Sequence, residues 1–271
     1  MKRDTTSYVL GSSDQEIERL DRQSASIEGA TRLLLRAAGI APGMRVLDLG
    51  TGIGHVAMLV ADLVGPQGSV VAIDRDTRLL EVAAARASTR AQLRFVEGDV
   101  RSWRDTEPFD AIVGRLILFH LTDPVSVLRH HAASLRPAGL LLALDFDLGS
   151  CRTEPALPLV TEALGWVRAA FLSVGASPAI GARLALLLAE AGVANVQGFG
   201  IQSYIAPDDP AAPALLSGVV RTLAPQIVAT GLATPERIGI DTLEARLADA
   251  LEASGSVLLP PTLAAAWGRR R

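Results

Sequence analysis

Apolar and polar positions fall into blocks along the chain, and the blocks change character near residue 44. Before that point Ile17, Leu20, Ile27 and Leu34 recur at a/d-like spacing, with Ser24 filling the slot between Leu20 and Ile27. One apolar stripe at this period predicts an amphipathic helix with a single buried face. Ser13, with Glu16 three residues on, makes a capping-box pattern at its start, and Gly39 and Pro42 close it.

From residue 44 short apolar runs alternate with helical stretches. "MRVLDLG", "SVVAIDRD" and "LRFVEGDV" read as three strands, "FDAIVGRLILFHL" contains a fourth, and "GLLLALDFD" is a fifth. Between them, residues 54–64 and 77–89 read as helices. So does "DPVSVLRHHAASLRP", with Asp123 as N-cap and Pro124 at the first helical position. The strands are continuous apolar runs, as expected when both sheet faces are covered. Strands alternating with helices of this length predict an α/β class with a mostly parallel sheet.

After residue 150 the rhythm slackens. "EPALPLVTEALGWVRAAFLSVG" reads as an inserted helix, and 178–191 returns to the earlier pattern. "VANVQGFGIQSYIA" is a sixth strand, 208–254 is helical and rich in Ala and Leu, and "GSVLLPPTLAAAWGR" supplies a last strand. No linker or repeat divides the chain. The expected organisation is one domain over 1–271, with a helical cap at 1–40 and a core at 41–150. Helical insertions at 151–176 and 206–254 are expected to cover a substrate site.

Composition narrows the partners. Hydrophobic residues make up 49% and charged residues 20%, an ordinary globular balance, and the net charge of −3 argues against a nucleic-acid or membrane footprint. Among 26 basic residues only Lys2 is a lysine, which fits a GC-rich coding sequence. The lone Cys151 excludes an intramolecular disulfide and a Cys-rich metal site, and it fits a reducing cytoplasm. The N-terminal residues lack the apolar stretch of a secretory signal, and "GLLLALDF" is far too short for a membrane span. These features predict a soluble cytoplasmic protein with a small-molecule partner, no resident metal, no nucleic acid and no membrane; a homodimer stays open.

The chemistry starts at "VLDLGTGIG". A strand, a tight glycine turn and a helix place backbone amides and a positive helix end at the carboxyl edge of a sheet. Gly50, Gly52 and Gly54 depart from the dinucleotide spacing G-x-G-x-x-G, since His55 stands where the third glycine would be. A nicotinamide-dependent oxidoreductase is therefore disfavoured. The stretch resembles the first motif of class I S-adenosylmethionine-dependent methyltransferases. Later features follow in that family's order: Asp74, twenty-four residues after Gly50, in "VVAIDRD"; Asp99 and Val100 in "VEGDV"; and "FDAIVGRLILFHLTDP". "VLRHHAASLRPAGLLLALDFD" is similar to the family's helix, turn and fifth strand, with Ala138 where its Pro-Gly-Gly turn has glycine. The flanks look like a bacterial small-molecule and ubiquinone-type subgroup, many of whose members serve secondary metabolism.

The resemblance implies a Rossmann-like, seven-stranded, mostly parallel sheet with helices on both faces and helical lid additions. It also implies S-adenosylmethionine as cofactor, held by Gly50, Thr51 and Gly52 through main chain. Asp74, with Arg75 beside it, would meet the ribose; Asp99 and the Val100 amide would meet the adenine. Tyr8, Gln23 and Arg115 are candidates for the methionine portion, Arg115 alternatively for substrate. Asp48 either holds the glycine turn or touches the ligand.

Four histidines complete the inventory. His55 fills space at a helix start, and His130 and His131 lie mid-helix on a face expected to be solvated. His120 sits past the fourth strand and is the candidate base, or else a packing group of that loop. Trp166, Phe171 and Leu172 either line a lid or form helical core. Alignment of reactants recovers about 7–11 kcal/mol, against roughly 3–5 for a placed base, so positioning is the larger contribution. "GRLILF" is not the Asn-Pro-Pro-Tyr loop of enzymes that methylate amines of DNA bases. The expected reaction is methylation of O, N or C on a small, fairly apolar metabolite. The alternative is a cofactor-assisted cyclisation or rearrangement on the same fold.

Overall fold

The computed structural model describes residues 14–271 and divides them into two compact units. The first runs up to Asp145 and adds Ala182–Phe199 and Leu263–Arg271; the second comprises Phe146–Gly181 and Gly200–Thr262. The Ser13–Glu16 cap and Tyr8 lie outside the description.

The first unit opens with α1 (Asp14–Ala38), and Gly39, at φ +99°, ends it where an L side chain would be strained. There follow β1 (Arg45–Leu49), α2 (His55–Val64), β2 (Ser69–Asp74), α3 (Thr77–Arg86), β3 (Leu93–Glu97), β4 (Phe109–Arg115), α4 (Pro124–Ala132) and β5 (Leu135–Asp147). β1 pairs in parallel with β2 and β4, β2 with β3, and β4 with β5. Both faces of this sheet are dry: Val46, Leu47, Val70 to Ile73, Ala111 to Val113 and Leu140 to Leu144 are all buried. α2 buries Val56, Val60 and Val64 at helical spacing. α3 is capped by Asp76, which accepts from the Arg78 and Leu79 amides; α4 is capped by Asp123, which accepts from Ser126 N at 2.9 Å.

In the second unit lie β6 (Arg152–Glu154), α5 (Pro158–Ser173), α7 (Ala211–Ala229), α8 (Pro235–Ile238), α9 (Ile240–Ser254) and β8 (Val257–Leu259). α6 (Leu184–Glu190), β7 (Ala194–Ile201) and β9 (Thr262–Arg269) complete the first unit but for their boundary residues. The large sheet has seven strands in the order β3-β2-β1-β4-β5-β9-β7 and is the Rossmann-like architecture expected.

Two elements differ from expectation. The C-terminal stretch gives two strands, not one, because Pro260 and Pro261 lack amide donors and break the ladder between β8 and β9. β8 then pairs antiparallel with β6, a three-residue strand too short to show a period. The second unit has its own core, in which Trp166, Val167, Leu216, Val220, Leu247 and Leu251 come together. α7 is long and apolar enough to cross a membrane by length and composition, and it buries Leu216, Val220, Leu223 and Ile227 in this core.

Candidate cofactor site

Strand order reverses at β1, which has β2 on one side and β4 on the other. In an open parallel sheet that reversal opens a crevice beyond the strand ends. The glycine loop occupies it. Gly50, Gly52 and Gly54 all take positive φ, at +65°, +54° and +83°. Gly50 is bare because a Cβ would lie 2.6 Å from Ile117 Cδ1, and Gly54 because one would press on Ala83 and Phe95. Gly52 is different. A Cβ there would meet nothing within 4 Å, so its bareness serves conformation and leaves the loop's outer face open.

Asp74 ties the loop to the end of β2. Its Oδ2 accepts from Gly52 N at 2.8 Å and its Oδ1 from Asp76 N at 3.0 Å. A carboxylate has about four acceptor positions, so these bonds orient the group and leave lone pairs for a diol. Asp48 lies beneath, 1% exposed. Burial raises its pKa to about 7; the Thr51 hydroxyl and the Arg115 charge oppose this, and Asp74 adds to it. Asp48 Oδ2 and Thr51 Oγ1 are both buried without a well-formed hydrogen bond, although the hydroxyl lies close enough to favour the charged carboxylate.

Asp99 follows β3 and is the most engaged of the acids. Arg101 donates to both its oxygens from Nε and Nη2 and adds its backbone N–H at 2.9 Å. These bonds, Arg101 first, hold the Asp99 carboxyl below the usual range, with a contribution from Arg75. Arg75 is exposed, and its charge also reaches His120. Val100 is buried.

Arg115, at the end of β4, turns toward α1. It donates to Thr31 Oγ1 at 3.1 Å and Ser24 Oγ at 2.9 Å, and burial lowers its pKa to about 10 against the pull of Asp48 and Glu28. Ser24 is thereby explained: the polar residue that interrupts the apolar stripe is the acceptor for a buried guanidinium. Gln23, next to it, accepts from Arg19 on its own helix. The following Leu116 has φ +56°, a conformation that strains a side chain and marks a constrained strand end. His120 closes a 3₁₀ turn, Leu118–His120, whose Phe119 N–H donates to the buried Asp145 at 3.0 Å. Burial, then Arg19 and Arg75, push its pKa down to about 4.

The other histidines are not idle. His55 Nε2 lies 2.9 Å from Asp21 Oδ1, and Asp21 also binds both terminal nitrogens of Arg86, so one carboxylate joins α1 to α2 and α3. His131 corrects the expectation of a solvated face: it is fully buried and bonded to Val100 O at 2.7 Å. Its spacing gives the signal, because His131 falls three and four residues after Leu128 and Val127, the buried stripe of α4. Asp145, hidden in the apolar fifth strand, had no comparable signal.

Residues 40–168 match the model of a family described as a methyltransferase domain. A probable cobalt-precorrin-6B C(15)-methyltransferase (decarboxylating) from Thermoplasma volcanium is 32% identical over 108 residues, 39% of this chain and 54% of that protein. A ubiquinone/menaquinone biosynthesis C-methyltransferase UbiE from Ectopseudomonas mendocina is 30% identical over 136 residues, 48% of this chain and 50% of that one. The chain thus spans about half the length of the curated relatives it matches. The structure of a SAM dependent methyltransferase from Aquifex aeolicus shares the fold, with TM-score 0.52 and 21% identity over 70% of this chain and 93% of that one.

Residues 40–168 therefore resemble a methyltransferase domain, and the fold is that of a solved SAM dependent methyltransferase. The residues present fit S-adenosylmethionine, the cofactor of such methyltransferases: an open main-chain bend at Gly52, an oriented acid at the end of β2 and a Thr51 hydroxyl beside Asp48 beneath the bend.

Proposed function

We propose that this protein transfers the methyl group of S-adenosylmethionine to a small, fairly apolar metabolite. The observation that carries the reading is the Gly52–Asp74 pair, in which the amide of the open glycine bend holds the carboxylate that would take the ribose hydroxyls. Asp99 and the Val100 amide would take the adenine edge, with Arg101 sharing the Asp99 carboxylate. Gly50 and Thr51 complete the bend, and Arg75 adds positive charge beside Asp99. Arg115 and Gln23 would meet the methionine end, with Tyr8, and Asp48 supports the loop from beneath. The sulfonium supplies an activated methyl group. The chain's own residues supply orientation, worth about 7–11 kcal/mol where alignment is good.

His120 is neutral at pH 7, with its pKa at about 4. It can accept a proton, but three units below the ambient pH the driving force is small, so any acid–base contribution is the lesser one. Both quoted relatives are named as C-methyltransferases, which supports carbon as the acceptor atom.

The test is calorimetric titration of the purified chain with S-adenosylhomocysteine, wild type against Asp74→Ala. Losing a charged hydrogen-bond acceptor costs about 1.5–3 kcal/mol, so the variant should bind roughly 10- to 100-fold more weakly. A folded wild type that binds neither this product nor the methyl donor overturns the proposal. Turnover without release of S-adenosylhomocysteine would move it to the non-methylating alternative.

A further inference from the structure

Two adjacent histidines of α4 reach back to the loop after β3. His130 Nε2 lies 3.0 Å from Trp103 O and His131 Nε2 lies 2.7 Å from Val100 O. A carbonyl oxygen only accepts, so both rings carry a proton on Nε2 and donate it. The remaining nitrogens differ. His130 Nδ1 accepts from Arg104 Nη2 at 3.1 Å, whereas His131 Nδ1 is buried without a hydrogen-bond partner. An apolar residue would sit on this stripe without orphaning a nitrogen. What His131 supplies in exchange is its bond to the Val100 carbonyl.

That carbonyl belongs to a peptide unit fixed at both ends. The Val100–Arg101 bond is planar, so holding its oxygen also sets the direction of the Arg101 N–H. That N–H donates to Asp99 Oδ1 at 2.9 Å. Around it the turn is closed by Ser102 N and Trp103 N, which both donate to Asp99 O, at 3.0 and 2.8 Å. A line of contacts therefore runs from the interior of α4 through one rigid peptide to the Asp99 carboxylate.

We infer that His131 is a positioning residue for purine recognition: through the Val100–Arg101 peptide it fixes the direction of the Asp99 carboxylate and of the Val100 backbone. The inference rests on the proposal that Asp99 and Val100 meet the adenine. It goes further in assigning purine selectivity to a buried side chain that touches no ligand.

The experiment compares S-adenosylhomocysteine with S-inosylhomocysteine, in which a carbonyl replaces the amino group that a carboxylate would accept from. Affinities are measured by calorimetry for wild type, His131→Leu and His131→Gln, each checked for folding by circular dichroism. Wild type should prefer the adenosyl compound by about tenfold or more, the scale of one charge-assisted hydrogen bond. His131→Leu should lose most of that preference while holding the inosyl compound about as before. His131→Gln, which keeps an N–H donor, should recover it. A folded His131→Leu with an unchanged ratio, or with both affinities reduced in step, overturns the inference while leaving the cofactor reading intact. A wild type that binds neither compound overturns both. If His131→Leu does not fold, His131→Met fills similar volume without a donor, and its ratio decides by the same criteria.

Discussion

Asp48, His120 and His131 bury ionisable groups and pull the protein's acid response in opposite directions. Asp48 rises from 3.8 to about 7, so the folded chain holds its proton more firmly than the unfolded chain. Its contribution to stability is full below 3.8 and is lost as pH rises through about 7. The histidines fall from 6.5 to about 4, chiefly through burial, and behave inversely: their contribution is full above 6.5 and drains away as pH falls through about 4. Between those limits unfolding takes up two protons at the histidines and releases one from Asp48, a net uptake of one. Stability should therefore drop by about 1.4 kcal/mol per pH unit on acidification from these groups. Replacing His131 with Gln removes one uptake and should flatten the slope toward zero. Urea unfolding of both proteins between about pH 5 and 6.5 checks this, since carboxyls held below the usual range, such as Asp21 and Asp99, enter only at lower pH.

At the scale of elements, the turn before the central run of β5 stores strain that was legible in the sequence as a departure from Pro-Gly-Gly. Ala138 sits at φ +60° with its methyl exposed, between Arg136 and Gly139, where the β4–β5 register shifts. A left-handed conformation costs an L residue roughly 1–2 kcal/mol, and glycine gives back about 0.4–1 through its freer unfolded chain. Ala138→Gly should thus stabilise the protein by about 0.5–1 kcal/mol in denaturant unfolding. α1 was equally legible, since its stripe predicted one buried face. Its polar anchors were not, because Asp21, Ser24 and Thr31 find their partners 34 to 91 residues away, on α2, α3 and β4. Asp21→Asn should loosen this attachment by no more than about 1 kcal/mol, as the carboxylate is over a third exposed and salt screens it. Faster amide exchange confined to α1, with the difference shrinking at high salt, is the expected signature.

At the scale of the molecule, legibility followed the sheet. Continuous apolar strands and capped helices announced residues 44–147 because local pattern and tertiary burial agree there. The second unit was legible only as helices, since its core is assembled from segments far apart in sequence and its β6–β8 pair joins residues about a hundred positions apart. The candidate cofactor residues in the described chain, from Gln23 to His120, all belong to the first unit. This makes the independence of the two cores measurable. Trp166 is 4% exposed in the core of the second unit, alongside Val167, Leu216 and Leu247. Truncating a buried tryptophan to alanine costs about 3–5 kcal/mol through lost transfer energy and the cavity left behind. Trp166→Ala should therefore unfold at markedly lower denaturant. It should still bind S-adenosylhomocysteine within about twofold of wild type at a temperature where it is folded, because the candidate cofactor residues belong to the other unit. Affinity weakened tenfold in a folded Trp166→Ala would mean that cofactor binding draws on the second core, and the assignment of the whole cofactor site to the first unit would fall.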